Sequence, residues 1–165
     1  ENFINQARQR FGAITVPMNE AFRTMVSMHR KGQLSILCLI IDQTPPSAEN
    51  RYWTQFLNQD TPVFLGVEKI AMSMSQPVVF CLMRKVERGK YEATVEVLAE
   101  NPRECAPYEI TEMHVKTLEK LIRENPAYWL WSHRRWKRKR TQAELLAGNE
   151  AQNSLVAEEQ PFNKH

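Results

Sequence analysis

No apolar run in these 165 residues approaches the roughly 20 needed to span a bilayer; residues 36–41 form a run of strand length only. No basic–apolar–small pattern of a secretory leader is present. Cysteine is scarce. Cys38, Cys81 and Cys105 lie far apart with no CxxC pair, which argues against a disulfide-stapled scaffold and a structural zinc site. Cys38 and Cys81 sit in apolar runs, so both are expected to be buried, reduced thiols in a reducing compartment. Internal repeats and a dividing linker are lacking too, which leaves one unit. With 42% hydrophobic and 25% charged residues, that unit has the composition of a folded domain with a core. The chain opens on Glu1 rather than a methionine, and a processed or truncated chain is expected.

Charge is present but unevenly spread. The net charge is +3, yet six of the seven residues 134–140 are basic, with only Trp136 between them.

The hydrophobic pattern predicts a helix over residues 2–11 stopped by Gly12, and a short strand over 14–17. A second helix over 20–31 follows, with Asn19 as cap and Gly32 as stop. Residues 35–41 (SILCLII) are continuously apolar, as in strands buried on both faces of a parallel sheet, and end in Asp42-Gln43-Thr44-Pro45-Pro46. Polar residues just past the carboxyl end of such a strand are where α/β proteins place chemistry. Residues 52–57 read as an edge strand, and Thr61-Pro62 as the start of a helix over 63–75. Residues 77–85 read as another buried strand, paired across an Arg88-Gly89 turn with an alternating strand over 91–98. A helix over 111–124 turns Val115, Leu118, Leu121 and Ile122 inward, and Pro126 opens a short helical stretch. The fold class expected is α/β, a mixed, largely parallel sheet flanked by helices. Residues 1–140 would form the folded part, and 141–165 a polar tail, disordered or partly helical.

The segment from Asn125 to Lys137 sets Tyr128, Trp129, Trp131 and Trp136 beside the cationic cluster. Tryptophan and tyrosine favour the membrane–water boundary, and each nearby Lys or Arg adds about 1 kcal/mol of attraction to an anionic surface. On composition alone two other readings stay open. The tryptophans can close a core beneath a solvated charged end, or the segment can bind nucleic acid through phosphates and stacked bases.

The order Pro126, then Trp129-Leu130-Trp131-Ser132-His133-Arg134-Arg135-Trp136-Lys137, resembles the C-terminal signature of the lipid A biosynthesis acyltransferases, the late lauroyl- and myristoyl-type transferases. Upstream, Arg8-Gln9-Arg10-Phe11-Gly12 resembles that family's Arg-x-Arg-aromatic-Gly stretch, and Ile41-Asp42-Gln43 its Asp-Gln/His element. Phe56-Leu57-Asn58 through Thr61 and Gly66 resembles its Phe-Phe-Gly-x-x-Ala-x-Thr-x-x-x-Gly segment, and Pro77-Val78-Val79 with Arg84 resembles the strand that follows. The likeness covers about residues 1–140. Asn58-Gln59-Asp60 departs from the usual Phe-Gly-x wording, and FLNQDT with WLWSHRRWK is closer to a Bacteroides-type branch.

The resemblance implies the C-terminal part of a fold like that of the glycerolipid acyltransferases. It implies transfer of a fatty acyl chain from an acyl carrier protein thioester to a hydroxyl of a lipid A precursor. The full-length family member would work at the cytoplasmic face of the bacterial inner membrane, against an anionic surface, with no metal, no organic cofactor and no nucleic acid as partner. Its His-x4-Asp/Glu dyad supplies a base and an orienting carboxylate. That dyad is expected outside this chain, so the fragment alone is expected to be inactive and prone to self-association. The spacing match His114…Glu119 is a decoy on this reading, because five residues of helix turn the two side chains about 140° apart. Supporting catalytic roles fall to Asp42, as an active-site carboxylate, and to Arg8 and Arg10, as stabilisers of phosphate or developing negative charge. Substrate-binding roles fall to Gln43, Arg84, Arg134, Arg135 and Lys137. For each of these a plain role as a turn residue or a surface charge is the alternative.

Overall fold

The computed structural model describes residues 2–46, 51–142 and 144. Among the described residues the regular structure includes two antiparallel hairpins and four helices, with no parallel strand pair. The expected mixed α/β content is present, while the largely parallel sheet is not.

Helix α1 (Asn2–Gln9) ends as expected at Gly12, whose φ of 83° lets its N–H reach back to Gln9 O at 2.9 Å. Residues 14–17 form no strand. Pro17 instead leads into a single 3-10 turn, Met18–Glu20, so α2 (Ala21–Arg30) starts without the Asn19 side-chain cap. Ala21 and Met25 are its buried face.

Residues 35–41 correct the expectation most sharply. They join no ladder, and their side chains alternate between half-buried and exposed, with Ile36 88% and Ile40 73% exposed. A continuously apolar strand is buried only if neighbouring strands cover both faces, and the described residues supply none. Cys38 is exposed for the same reason, and so is Cys81 on a hairpin open to solvent, contrary to the buried thiols expected.

The first hairpin joins β1 (Arg51–Phe56) to β2 (Gln59–Phe64), with Phe56 opposite Gln59. Its two-residue loop, Leu57-Asn58, has φ of 51° and 61°, the doubly positive pattern that matches the twist of paired strands. Thr61-Pro62 therefore lies within a strand rather than opening a helix. Helix α3 (Gly66–Met74) starts one turn of chain later. Gly66 lies against the Phe64 ring, which a Cβ there would displace.

The second hairpin, β3 (Val78–Glu87) with β4 (Lys90–Ala99), turns at Gly89, φ 79°, as the sequence suggests. It is not a buried strand pair. Only Val78 and Ala99, at its base, are buried, and Arg84 sits opposite Glu92 with a 2.6 Å ion pair in solvent.

Helix α4 (Glu109–Glu124) organises both cores. Ile110 meets Ala71, Val78 and Ala99, while Val115 and Ile122 meet Phe56 and Val63, with Leu118, Trp129 and Trp136 packed around them. Its N-terminus is capped from outside its own sequence. Buried Glu68 of α3 accepts from Tyr108 N–H at 2.6 Å, Thr111 N–H at 2.9 Å and Thr111 Oγ1 at 2.6 Å. A carboxylate at the positive end of a helix dipole satisfies amides that would otherwise be orphaned. A single 3-10 turn, Pro126–Tyr128, then leads into the aromatic-basic segment. Thr141 and Glu144 hydrogen-bond reciprocally, Thr141 N–H to Glu144 Oε2 at 2.8 Å and Glu144 N–H to Thr141 Oγ1 at 3.4 Å. The rest of the expected polar tail, 145–165, lies outside the described residues.

Replacing Glu68 by Ala removes three charge-assisted bonds and is expected to lower the unfolding free energy by roughly 3 kcal/mol, and Glu68→Gln by less. Urea denaturation of the three proteins measures it; equal stability of Glu68→Ala and the parent would refute the capping role.

Candidate functional site

Asp42 and the aromatic-basic segment, 87 residues apart in sequence, meet in space. The indole Nε1 of Trp129 donates to Asp42 Oδ2 at 3.2 Å. The loop after Asp42 is fastened to the same segment. Thr44 N–H donates to His133 Nε2 at 3.2 Å, Thr44 Oγ1 donates to Arg135 O at 2.8 Å, and Arg138 Nη2 donates to Pro46 O at 2.8 Å. Accepting at Nε2 places the neutral His133 proton on Nδ1. Pro45, between these anchors, is fully buried.

The tryptophans divide their duties. Trp136 donates to Thr61 Oγ1 at 2.8 Å, which in turn donates to Gln59 O at 2.8 Å. Trp129 and Trp136 pack against each other and against Phe56, with ring centroids 5.7 to 6.3 Å apart. Trp131 donates to Pro126 O at 2.6 Å and keeps 54% of its surface exposed. The core-closing reading thus holds for Trp129 and Trp136, while Trp131 faces outward with Leu130.

Arg135, expected to bind substrate or else to stand as a surface charge, is withdrawn from solvent. It is only 3% exposed, its Nη2 donates to Pro62 O at 2.7 Å, and its guanidinium carbon lies 5.9 Å from the Phe56 ring centroid. Burial brings its pKa down to about 10, with the Asp42 charge acting the other way. Nε and Nη1 are buried and find no acceptor among the described residues. Each orphaned donor costs about 1–3 kcal/mol, so their surroundings matter. Arg135 also lines a cavity of about 10 Å³ together with the polar Asp42 and His114 and the apolar Ile41, Phe56 and Val63. That volume admits a water and nothing larger.

His114 was set aside in the sequence as half of a spurious dyad, and it does not pair with Glu119. Its ring lies 5.6 Å from Phe80, and it faces Asp42 and Arg135. Glu119 instead accepts from Leu57 N–H at 3.1 Å and pairs with Arg123. Desolvation lowers the His114 pKa to about 4, Asp42 opposing and Arg135 reinforcing the shift. Its place was legible: 114, 118 and 122 share one face of α4, the i, i+4, i+8 stripe.

The other expected residues lie apart. Gln43, Arg134 and Lys137 are exposed beside the cluster, Arg84 is on the second hairpin, and Arg8 and Arg10 are exposed at the end of α1. No hydrogen bond or ion pair among the described residues joins Arg8 or Arg10 to Asp42. A larger depression of about 600 Å³ lies on the outer face of α4, lined by Lys116, Glu119, Lys120, Arg123 and Glu124. It opens widely to solvent, away from Asp42, and offers no comparable convergence of buried groups. No group of three or more His, Cys, Asp or Glu among the described residues is placed to hold a metal ion, and no described helix is long and apolar enough to cross a membrane.

Residues 1–138 match the family described as bacterial lipid A biosynthesis acyltransferase. No curated protein matches the chain.

A neutral, half-buried histidine makes stability depend on pH. The folded pKa is near 4 and the unfolded value near 6.5, so the unfolded chain takes up a proton first as pH falls. Stability is full above about pH 6.5 and declines by up to about 3 kcal/mol as pH drops towards 4. Urea midpoints measured from pH 7 to 4.5 should show this slope, and His114→Gln should flatten it; an identical slope in the variant would assign it to other groups.

Proposed function

Since the chain belongs to the bacterial lipid A biosynthesis acyltransferase family, we propose that it forms the supporting part of an enzyme that moves a fatty acyl chain from an acyl carrier protein thioester to a hydroxyl of a lipid A precursor. The observation that carries this reading is the family match over residues 1–138, which includes both Asp42 and the segment fastened to it. In the reaction the acceptor hydroxyl gives its proton to a base, its oxygen attacks the thioester carbonyl, and the carbon–sulfur bond breaks to release the carrier thiol. The base and its orienting carboxylate come from a His-x4-Asp/Glu pair outside residues 1–165. Asp42 holds local polarity at the site, and Gln43, Arg134 and Lys137, exposed around it, meet the phosphates of the acceptor. The reaction needs no metal or organic cofactor.

The complete reading frame containing this chain, supplied with acyl carrier protein thioester and a lipid A precursor, should yield a product heavier by one acyl group. Asp42→Asn, which keeps an acceptor for Trp129, should lower kcat by roughly 100-fold, and residues 1–165 alone should give no product. Absence of acyl transfer by the complete protein, as judged by mass spectrometry, would refute the assignment.

A second reading concerns the outer face of the same segment. Leu130 and Trp131, each 54% exposed, stand beside exposed Arg134, Lys137 and Lys139, a pairing of apolar and cationic groups suited to an anionic lipid surface at the cytoplasmic face of the inner membrane. A variant with Trp131→Ala, Arg134→Gln and Lys137→Gln should lose several-fold affinity for anionic vesicles in a sedimentation assay. Unchanged vesicle binding with loss of oligonucleotide binding would favour a nucleic-acid module instead.

A further inference from the structure

Arg135 has two unused donors, and it lines the small cavity that Asp42 and His114 also line. Arg135 is only 3% exposed, so bulk water does not serve these donors. Asp42 and His114 line the same space as Arg135, and the remaining walls are aliphatic or aromatic. A site holds one water when it offers about one probe sphere of volume and two to four polar partners. Both conditions are met here, and the volume of about 10 Å³ excludes a phosphate, a carboxylate or any organic group.

We infer that this cavity is a binding site for a single water molecule, and that through this water Arg135 acts as a positioning residue for the Asp42 carboxylate. The water accepts from Arg135 Nε or Nη1 and donates to Asp42. Trp129 Nε1 holds the carboxylate from another side, and Pro62 O anchors the far end of the guanidinium. The three elements so joined are the loop after residue 41, the strand β2 and the aromatic-basic segment. The charged groups facing His114 are Asp42 and Arg135, and β3 presents the uncharged Phe80 to its ring. The inference rests on packing and not on the acyl-transfer reading, so the two fail separately: loss of one in the tests leaves the other standing.

The test is water-selective NMR on the whole chain. The Arg135 Nε–H resonance should show a direct cross-relaxation peak to water, with the sign of a molecule that stays bound for longer than nanoseconds. Arg135→Met, which keeps length and removes the donors, should assign that peak to Arg135 and move the His114 titration upward, because a facing cation is gone. Asp42→Asn should move the same titration downward, because a facing anion is gone. Should Arg135→Met fail to fold, Asp42→Asn decides the coupling and the parent spectrum decides the water. An Arg135 Nε–H with no long-lived water contact overturns the site. A His114 titration that Asp42→Asn leaves unmoved overturns the coupling.

Discussion

A guanidinium withdrawn from solvent is the constraint around which this chain packs. Arg135 touches the Phe56 ring, binds the carbonyl of Pro62 and shares a cavity with Asp42 and His114. Its own backbone carbonyl holds Thr44. Burial of so polar a group is tolerated only when its neighbours offset the lost hydration. The surroundings of Arg135 therefore explain features otherwise unrelated: why Asp42 points at the aromatic segment, why Pro45 is buried, and why Phe56 is walled by two tryptophans. The neighbouring cations have no such duty. Arg134 and Lys137 flank Arg135 in sequence yet face outward.

Much of this is legible in the sequence. The helices α1, α2 and α4, the turn at Gly89 and the inward stripe of Val115, Leu118 and Ile122 follow from local periodicity and glycine chemistry. Asp42 and the aromatic-basic segment are both picked out as pieces of one family's pattern, but the sequence does not foresee that they meet through the Trp129–Asp42 hydrogen bond.

What escaped the sequence depended on partners distant in the chain. Thr61-Pro62 carries the usual marks of a helix start, but the left-handed Leu57-Asn58 pair closes a hairpin there without the glycine that normally announces one. Nothing near Arg135 distinguishes it from the five basic residues around it, because its burial is decided by Pro62 and Phe56. Glu68 likewise caps a helix more than 40 residues away. Residues 35–41 mark the opposite case. Their pattern states a need for neighbouring strands, and a pattern cannot state whether the neighbours are at hand.

The wide spread of contact distances along the chain has a bearing on the order in which the structure assembles. The Leu57-Asn58 loop brings strands together across two residues, and such hairpins close in microseconds. The Trp129–Asp42 and Thr44–Arg135 contacts close loops of 87 and 91 residues, whose ends meet only after a much larger loss of chain entropy. Chain entropy therefore favours closing the hairpins ahead of the polar cluster, which the C-terminal segment completes with Arg135.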